Sequence, residues 1–411
     1  MYNEAELVRI ARRENNTKRT YLVVDPLQGK HVPVSPTKAL NLFSDLADEV
    51  RNEYGKEALL VVGFAETATA IGAQVAVCLG AKYIQTTRET IPGVEYLFFS
   101  EEHSHATEQK LVRTDIDAVI GQIDRILFVE DEVTTGQTIL NIISRIEGYY
   151  ADEIRPDKIR SDKLRFSVLS LLNGMDGAHA DRYAGKGIRL HYLCKTDHSR
   201  FAERAERYQG DGEYVTYDGR FACDSRLACD GRFANDGRFA CDSRLANDGR
   251  FVCDSGCVSR VEEMSVSGYM NARRLVEAPS YENACGELWE RVKARLLKKE
   301  YQNLLVIGTE EFMYPALFIG EKLEREGKAV KCHATTRSPI VVSSEADYPL
   351  HQRYELKSLY DEKRKIFIYD LDCYDKVVIV TDAPAGESAG LFSLLRAVCR
   401  KNDDVLVVRW C

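Results

Sequence analysis

Apolar runs alternate with amphipathic stretches from about Thr20 to Leu193. Short apolar runs bounded by turn residues predict strands, and longer runs with apolar residues three or four positions apart predict helices. The predicted strands are Leu59–Val62, Lys82–Gln85, Leu97–Phe99, Ile126–Glu130 and Phe166–Leu172, and the predicted helices are Pro36–Tyr54, Ala68–Leu79 and Gln137–Ile146. Because strand and helix alternate, the pattern favours an α/β fold with a parallel sheet flanked by helices.

The region from about Ser265 to Cys411 repeats three segments of the first region in the same order. Residues 303–311 resemble the start of 58–67, residues 334–340 resemble 85–91, and residues 377–382 resemble 126–131. The repetition predicts a second α/β domain of similar topology. The second domain is degenerate, because Thr381 stands where the first domain has Glu130 and an Ala-Pro-Ala-Gly loop replaces Thr-Thr-Gly. It is not expected to repeat the chemistry of the first.

Residues 218–253 are a hexapeptide repeat with the units DGRFAC, DSRLAC, DGRFAN, DGRFAC, DSRLAN and DGRFVC. A solenoid, or a metal site using Cys223, Cys229, Cys241 and Cys253, would be the functional alternatives. The units are nearly identical and carry Asp-Gly or Asp-Ser every six residues, which favours a loosely ordered linker without a catalytic role. The predicted domains are therefore residues 20–200, a low-complexity linker at 210–262, and residues 265–411.

Composition narrows the class of protein. The chain has 411 residues, a hydrophobic content of 45% and a formal net charge of −8. These values favour a globular protein of two or three domains and argue against a generally basic surface for nucleic acid. Neither a membrane-spanning run nor an apolar leader segment is visible, and the 12 cysteines lack C-x-x-C spacing. We therefore expect a cytoplasmic enzyme with reduced thiols and no contact with membranes or nucleic acid.

The segment Ile126–Thr138 carries the strongest chemical signal. Four apolar residues predict a buried strand, two carboxylates (Glu130 and Asp131) end it, and a Thr/Gly loop opens into a helix. Loop amides and the positive end of a helix are suited to a phosphate group. Carboxylates at the carboxyl edge of a parallel sheet lie where the hydroxyls of a ribose would be bound. The pattern predicts a sugar-phosphate site.

This segment resembles the PRPP-binding signature of type I phosphoribosyltransferases, and it departs at Glu132, where that family usually has an aliphatic residue. The resemblance implies that Glu130 and Asp131 are the catalytic acids, which fix the ribose hydroxyls and stabilise an oxocarbenium-like state. It also implies a 5′-phosphate site formed by Thr134, Thr135, Gly136, Gln137 and Thr138. An ordinary strand-turn-helix with solvated acids is the alternative reading.

A second anion site is predicted one strand-helix-strand unit earlier. The loop Gly63–Thr67 follows a predicted strand and precedes a helix, so its amides can face a phosphate. Its place matches the pyrophosphate loop of the family, which implies substrate contacts from Gly63, Ala65, Glu66 and Thr67. Arg88 follows the next strand, and an arginine fork suits a diphosphate, although a surface ion pair would also explain it.

Two polar segments complete the predicted site. The segment Ser100–Thr107 occupies the place of the loop that covers PRPP in related transferases, and His105 is its predicted substrate contact, with a solvated histidine as the alternative. Near the N-terminus, Lys30 and His31 precede a helix start at Ser35. Terminal segments of the family form a hood over the acceptor base, so the resemblance implies substrate contacts from both residues.

A closer resemblance than the general signature is to proteins in which an orotate-phosphoribosyltransferase-like domain is fused to a C-terminal TRSP domain, carried here by Thr336-Arg337-Ser338-Pro339. Such proteins occur in tellurium-resistance gene clusters. The resemblance implies PRPP-dependent, Mg-assisted phosphoribosyl transfer to an unidentified base-like small molecule, within nucleotide metabolism. A non-catalytic PRPP- or nucleotide-binding regulator is the alternative. No dedicated protein metal site is predicted, and a homodimer is left open.

Overall fold

The structure is a computed structural model that describes residues 2–16, 18–100, 108–150, 164–216, 250–252, 258–385 and 388–411. In chain order the strands are β1 Arg9–Arg12, β2 Tyr21–Val24, β3 Leu59–Gly63, β4 Lys82–Gln85, β5 Tyr96–Ser100, β6 Glu108–Val112, β7 Arg125–Val133, β8 Arg165–Asn173, β9 Arg189–Lys195, β10 Glu213–Thr216, β11 Arg250–Val252, β12 Val258–Val266, β13 Val276–Glu277, β14 Asn303–Gly308, β15 Ala329–Ala334, β16 Gln352–Lys357, β17 Lys365–Tyr369, β18 Lys376–Thr381 and β19 Asp404–Trp410. The helices are α1 Glu4–Leu7, α2 Pro36–Tyr54, α3 Thr69–Leu79, α4 Arg113–Asp117, α5 Gln137–Tyr149, α6 Gly177–Gly185, α7 Phe201–Glu206, α8 Ala278–Leu296, α9 Tyr314–Arg325 and α10 Ala389–Val398.

The first sheet has the strand order β13-β4-β3-β7-β8-β9. The pairs from β4 to β9 are parallel, whereas β13, contributed by the second half of the chain, runs antiparallel to β4. The apolar runs of β3 and β7 are fully buried, as expected for central strands covered by helices on both faces. The α/β architecture predicted from the sequence is therefore the observed one.

The second sheet has the strand order β11-β12-β19-β18-β14-β15. Its β15-β14-β18-β19 part has the same order as β4-β3-β7-β8 of the first sheet, and these pairs are also parallel. The repeated sequence segments occupy equivalent strands, because β14 corresponds to β3, β15 to β4 and β18 to β7. The loops at the carboxyl edges of the two sheets therefore follow equivalent strands, although their sequences differ.

The helices that precede the two central strands start for recognisable local reasons. Ser35 caps α2 through its hydroxyl, which accepts a hydrogen bond from the backbone of Lys38, and Pro36 occupies the first turn. The corresponding helix α8 also has a proline in its first turn. Helices α2 and α3 of the first half pack against α8 and α9 of the second, and one apolar core extends across both halves.

The structure adds two details that the sequence did not indicate. The predicted strand Leu97–Phe99 lies outside the main sheet, in a two-stranded antiparallel sheet formed by β5 and β6. The predicted linker range 210–262 contains strands at both ends, since β10 pairs with β16, and β11 and β12 belong to the second sheet. Most of the hexapeptide repeat lies outside the described residues, so its role and the proposed domain boundaries stay predictions.

Among the helices in the described ranges, none has the length and apolar character that crossing a membrane requires.

Candidate functional site

The acidic pair lies at the carboxyl end of β7, at the centre of the first sheet. The strand continues through the acids to Val133, further than predicted, because Glu130 and Glu132 pair with residues of β8. Successive side chains of a strand point to opposite faces. Glu130 and Glu132 therefore share one face of the strand, and Asp131 points to the other.

Asp131 is joined to the predicted pyrophosphate loop by a hydrogen bond. The hydroxyl of Thr67 donates to the Oδ1 atom of Asp131 at 2.9 Å. Burial and the neighbouring charge of Glu132 raise the pKa of Asp131 to about 6. The structure thus brings together two segments that lie 64 residues apart in sequence.

Asp25, which sequence reasoning missed, lies at the end of β2 within electrostatic range of Asp131. Burial, together with the charge of Asp131, raises the pKa of Asp25 to about 7, although the backbone N–H of Leu27 donates to its Oδ1 atom at 2.8 Å. Its Oδ2 atom is buried and has no hydrogen-bond partner among the described residues. No signal in the sequence distinguishes this aspartate, because Val-Asp-Pro is an ordinary strand ending.

Glu132, the residue that departs from the family pattern, forms a buried ion pair with Arg19. The Nη2 atom of Arg19 lies 2.7 and 2.6 Å from the two carboxylate oxygens, and the Arg19 guanidinium stacks on the ring of Tyr21. Burial opposes ionisation of Glu132, but Arg19 and the nearby His198 hold its pKa below the usual value. Arg13 lies in the same charged neighbourhood, where burial and the Arg19 charge lower its pKa.

The predicted 5′-phosphate loop turns at Gly136, whose φ of +69° is a left-handed conformation that favours glycine. A Cβ atom there would clash with the hydroxyl of Tyr183, which donates to the Gly136 carbonyl at 2.6 Å. Helix α5 starts at the next residue, so its first backbone N–H groups face the loop. The predicted residues of this loop are all partly exposed, namely Thr134, Thr135, Gly136, Gln137 and Thr138.

Gln137 orients part of this loop through its side chain. Its amide donates to Asn141 at 2.7 Å and accepts from the guanidinium of Arg182 at 2.7 Å. Arg182 was not predicted, and it brings a positive charge from α6 to the start of α5. A cation beside first-turn amides adds to the attraction for a phosphate.

The predicted pyrophosphate loop is fixed at each of its positions. A Cβ atom at Gly63 would lie 2.8 Å from the hydroxyl of Tyr83, so the close packing requires glycine. The backbone N–H of Ala65 donates to Thr86 at 2.8 Å, and the side chain of Gln109 donates to the Ala65 carbonyl at 2.8 Å. The peptide bond between Ala65 and Glu66 is cis.

Glu66 is buried and held by two cations. The ammonium group of Lys30 lies 2.7 Å from its Oε1 atom, and the Nε atom of Arg337, from the second domain, lies 3.2 Å from its Oε2 atom. Burial alone would raise the pKa of Glu66, but these cations hold it below the usual value. The carboxylate of Glu66 is therefore engaged by protein groups, and its loop is tied to the second domain.

Three further residues were predicted to contact the substrate, namely His31, Arg88 and His105. His31 is buried, and neither ring nitrogen has a hydrogen-bond partner within the described part of the chain. Burial and the adjacent Lys30 lower its pKa to about 3, so the ring is neutral. The backbone N–H of Arg88 donates to Glu311 of the second domain at 2.9 Å. His105 lies outside the described residues. The roles of all these residues in binding remain predictions.

The equivalent acid of the second domain, Asp382, is covered by its own neighbours. The hydroxyls of Tyr269 and Tyr360 donate to its carboxylate at 2.6 and 2.5 Å, and Arg273 forms an ion pair with it. Arg273 also contacts Glu311 at 3.0 Å. The carboxylate of Asp382 is therefore engaged by three side chains of its own half of the chain.

Comparison with known proteins finds two family models that match successive parts of the chain. Residues 7–159 match the family model described as "Phosphoribosyl transferase", and residues 276–398 match the model described as "TRSP domain C terminus to PRTase_2". Among curated proteins, none matches the sequence.

Similar solved structures include adenine phosphoribosyltransferase from Rhodothermus marinus, with 16% identity, a TM-score of 0.34, and coverage of 47% of this chain and 96% of that one. The APRTase of Giardia lamblia, solved with 9-deazaadenine, has 19% identity and a TM-score of 0.34, covering 48% of this chain and 100% of that one. The Trypanosoma brucei enzyme, solved with AMP, pyrophosphate and ribose-5-phosphate, has 14% identity and a TM-score of 0.32, covering 47% and 77%.

Proposed function

Since residues 7–159 belong to the phosphoribosyl transferase family and residues 276–398 form the TRSP domain that follows it, we propose that the protein transfers the phosphoribosyl group of PRPP to a base-like small molecule and releases pyrophosphate. The acceptor would bind beneath the N-terminal segment that carries Asp25, Lys30 and His31. The protein is a phosphoribosyltransferase by family; the donor, the acceptor class and the role of magnesium are the proposal.

The connection between Thr67 and Asp131 carries the proposal. It links the predicted pyrophosphate loop to the acid predicted to bind the ribose, while the loop before α5 lies at the end of the same strand. A molecule with a phosphate at one end and a diphosphate at the other would contact all three segments. This arrangement suits PRPP better than a compound with one phosphate.

The chemistry requires stabilisation of charge rather than an activated nucleophile. As the bond between C1 and the diphosphate oxygen breaks, positive charge develops on the ribose ring and negative charge on the leaving group. Glu130 and Asp131, from opposite faces at the end of β7, would stabilise the ring and fix its hydroxyls. The backbone amides of Glu66 and Thr67 would face the departing pyrophosphate. The partly desolvated position of Asp131 strengthens these interactions because the local dielectric is low.

The acids present are compatible with a magnesium ion. Mg²⁺ prefers oxygen ligands and usually keeps several waters, binding through one or two carboxylates and the phosphates of a substrate. Glu130 and Asp131 offer such oxygens, and the described residues contain no group of three or more acidic, histidine or cysteine side chains arranged to hold a metal. When bound, the ion would neutralise charge on the diphosphate. In this proposal the substrate supplies most of its ligands.

The test is isothermal titration of the full chain with PRPP in the presence of MgCl2, followed by a pyrophosphate-release screen over purine, pyrimidine and related bases. Binding of PRPP together with release that depends on one class of base is the expected result. Binding without release for any base would favour the regulator, and absence of PRPP binding would contradict the proposal.

A further inference from the structure

The two domains complete each other's sheets in a reciprocal way. Val34, just before α2, pairs antiparallel with Cys332 of β15, and Val276, just before α8, pairs antiparallel with Tyr83 of β4. Tyr83 and Cys332 hold the same position of the duplicated sequence, since each lies three residues before a Thr-Thr-Arg segment. The domains are therefore related as two subunits of a symmetric dimer would be, within one chain.

The carboxyl-edge loops show the same reciprocity. The backbone N–H of Arg337 donates to Glu66 at 3.1 Å, and the backbone N–H of Arg88 donates to Glu311 at 2.9 Å. Glu66 and Glu311 hold equivalent positions, because each lies three residues after the glycine that ends its strand. Each domain thus binds the predicted phosphate loop of the other through a buried glutamate.

The Arg337 side chain strengthens this contact between the domains. Its guanidinium approaches carboxylates from both domains, at 3.2 Å from Glu66, 2.7 Å from Glu89, 3.0 Å from Glu310 and 3.2 Å from Glu311. Only 9% of the side chain is exposed. A planar fork with several donors can join such a set, whereas a lysine ammonium cannot.

The equivalent acids of the two domains, Asp131 and Asp382, have different side-chain partners. Arg273, three residues before Val276, reaches Asp382 and closes the second site. His31, three residues before Val34, holds the equivalent position of the sequence, and it is shorter and neutral. Asp382 is therefore engaged by a salt bridge, whereas Asp131 accepts a hydrogen bond from Thr67.

We propose that the TRSP domain acts as a built-in second subunit, and that its Arg337 is a positioning residue that holds the Gly63–Thr67 loop in the geometry needed for the pyrophosphate group of PRPP. This inference rests on the proposed function. Arg337 touches no substrate atom in this proposal; it acts through Glu66, whose neighbours Ala65 and Thr67 present the backbone and the link to Asp131.

The experiment compares two ligands on the full chain by isothermal titration in MgCl2. PRPP contains the pyrophosphate group and ribose 5-phosphate lacks it. The variants are Arg337→Lys and Glu66→Gln, and the control is Arg274→Lys. Arg274 forms another ion pair between the domains, with Nε and Nη2 at 2.7 and 2.6 Å from Asp115, and it does not touch the loop. Thermal melting of each variant accompanies the titrations.

We expect Arg337→Lys and Glu66→Gln to weaken PRPP binding roughly tenfold or more, because small displacements of a positioned group are costly. Ribose 5-phosphate has no pyrophosphate group for the loop to contact, so its affinity should stay within about twofold of wild type. The control Arg274→Lys should change the affinity for neither ligand. An equal loss of affinity for PRPP and for ribose 5-phosphate would overturn the inference. Unchanged PRPP binding in a variant that folds would also overturn it. If Arg337→Lys does not fold, the titrations of Glu66→Gln with the two ligands test the inference. A wild-type chain that binds no PRPP would instead refute the proposed function.

Discussion

Arg19 binds both carboxylate oxygens of Glu132, at 2.7 and 2.6 Å. This contact explains why an acid stands where the family signature has an aliphatic residue. It anchors the segment between β1 and β2 over the carboxyl end of β7, so the N-terminal hairpin covers the predicted ribose site. Only 11% of the Arg19 side chain and 10% of the Glu132 side chain are exposed.

The first prediction concerns this ion pair. Replacing Glu132 by Leu alone should lower the free energy of unfolding by about 3–5 kcal/mol, because it leaves the buried Arg19 charge uncompensated. The double variant Arg19→Leu, Glu132→Leu should recover most of that loss, since both charges are removed together. Urea unfolding of the two single variants and the double variant measures the coupling. If the losses of unfolding free energy in the two single variants add up in the double variant, the ion pair contributes little to stability.

The second prediction concerns Asp131. The variant Asp131→Asn should reduce phosphoribosyl transfer by roughly a hundredfold or more, because it removes the charge facing the developing positive ring. The fold should be retained, since the amide has nearly the same volume as the carboxylate. Pyrophosphate release at saturating PRPP measures the effect, and Asp176→Asn is the matched control, because that acid caps α6 and is exposed. A wild-type rate of pyrophosphate release in Asp131→Asn would show that Asp131 is not a catalytic residue.

The third prediction is a dependence of stability on pH caused by Asp25. Burial raises its pKa from 3.8 to about 7, so between these values the native state keeps a proton that the unfolded chain has lost. The free energy of unfolding should therefore fall as the pH rises from about 4 to about 7. Asp25→Asn should flatten this part of the profile, measured by urea unfolding at several pH values. An unchanged slope in the variant would show that Asp25 ionises normally.

The fourth prediction concerns the number of sites. Full-length protein should bind PRPP with one equivalent per chain, because Arg273, Tyr269 and Tyr360 engage Asp382 in the second domain. The stoichiometry of the isothermal titration measures this directly. The mass of the complex under native conditions provides an independent check, and two equivalents per chain would contradict the closed second site.

The sequence by itself determined most of the framework. The predicted limits of α2 and β4, Pro36–Tyr54 and Lys82–Gln85, match the structure, because the periodicity of apolar residues, Pro36 and the Ser35 cap act locally. The duplication was visible because equivalent strands keep the same local pattern. The segment Ile126–Thr138 indicated a strand, acids, loop and helix in the order observed.

Only the tertiary structure decided which groups the site residues contact. Arg337 and Glu66 lie 271 residues apart, and Arg19 and Glu132 lie 113 apart, so neither pair leaves a periodic or spacing signal. Asp25 has a raised pKa because folding buries it near Asp131, and no short stretch of sequence encodes that burial. The salt bridge of Asp382 also depends on tertiary structure, because Arg273 lies in the segment before β13, and β13 pairs with the sheet of the first domain.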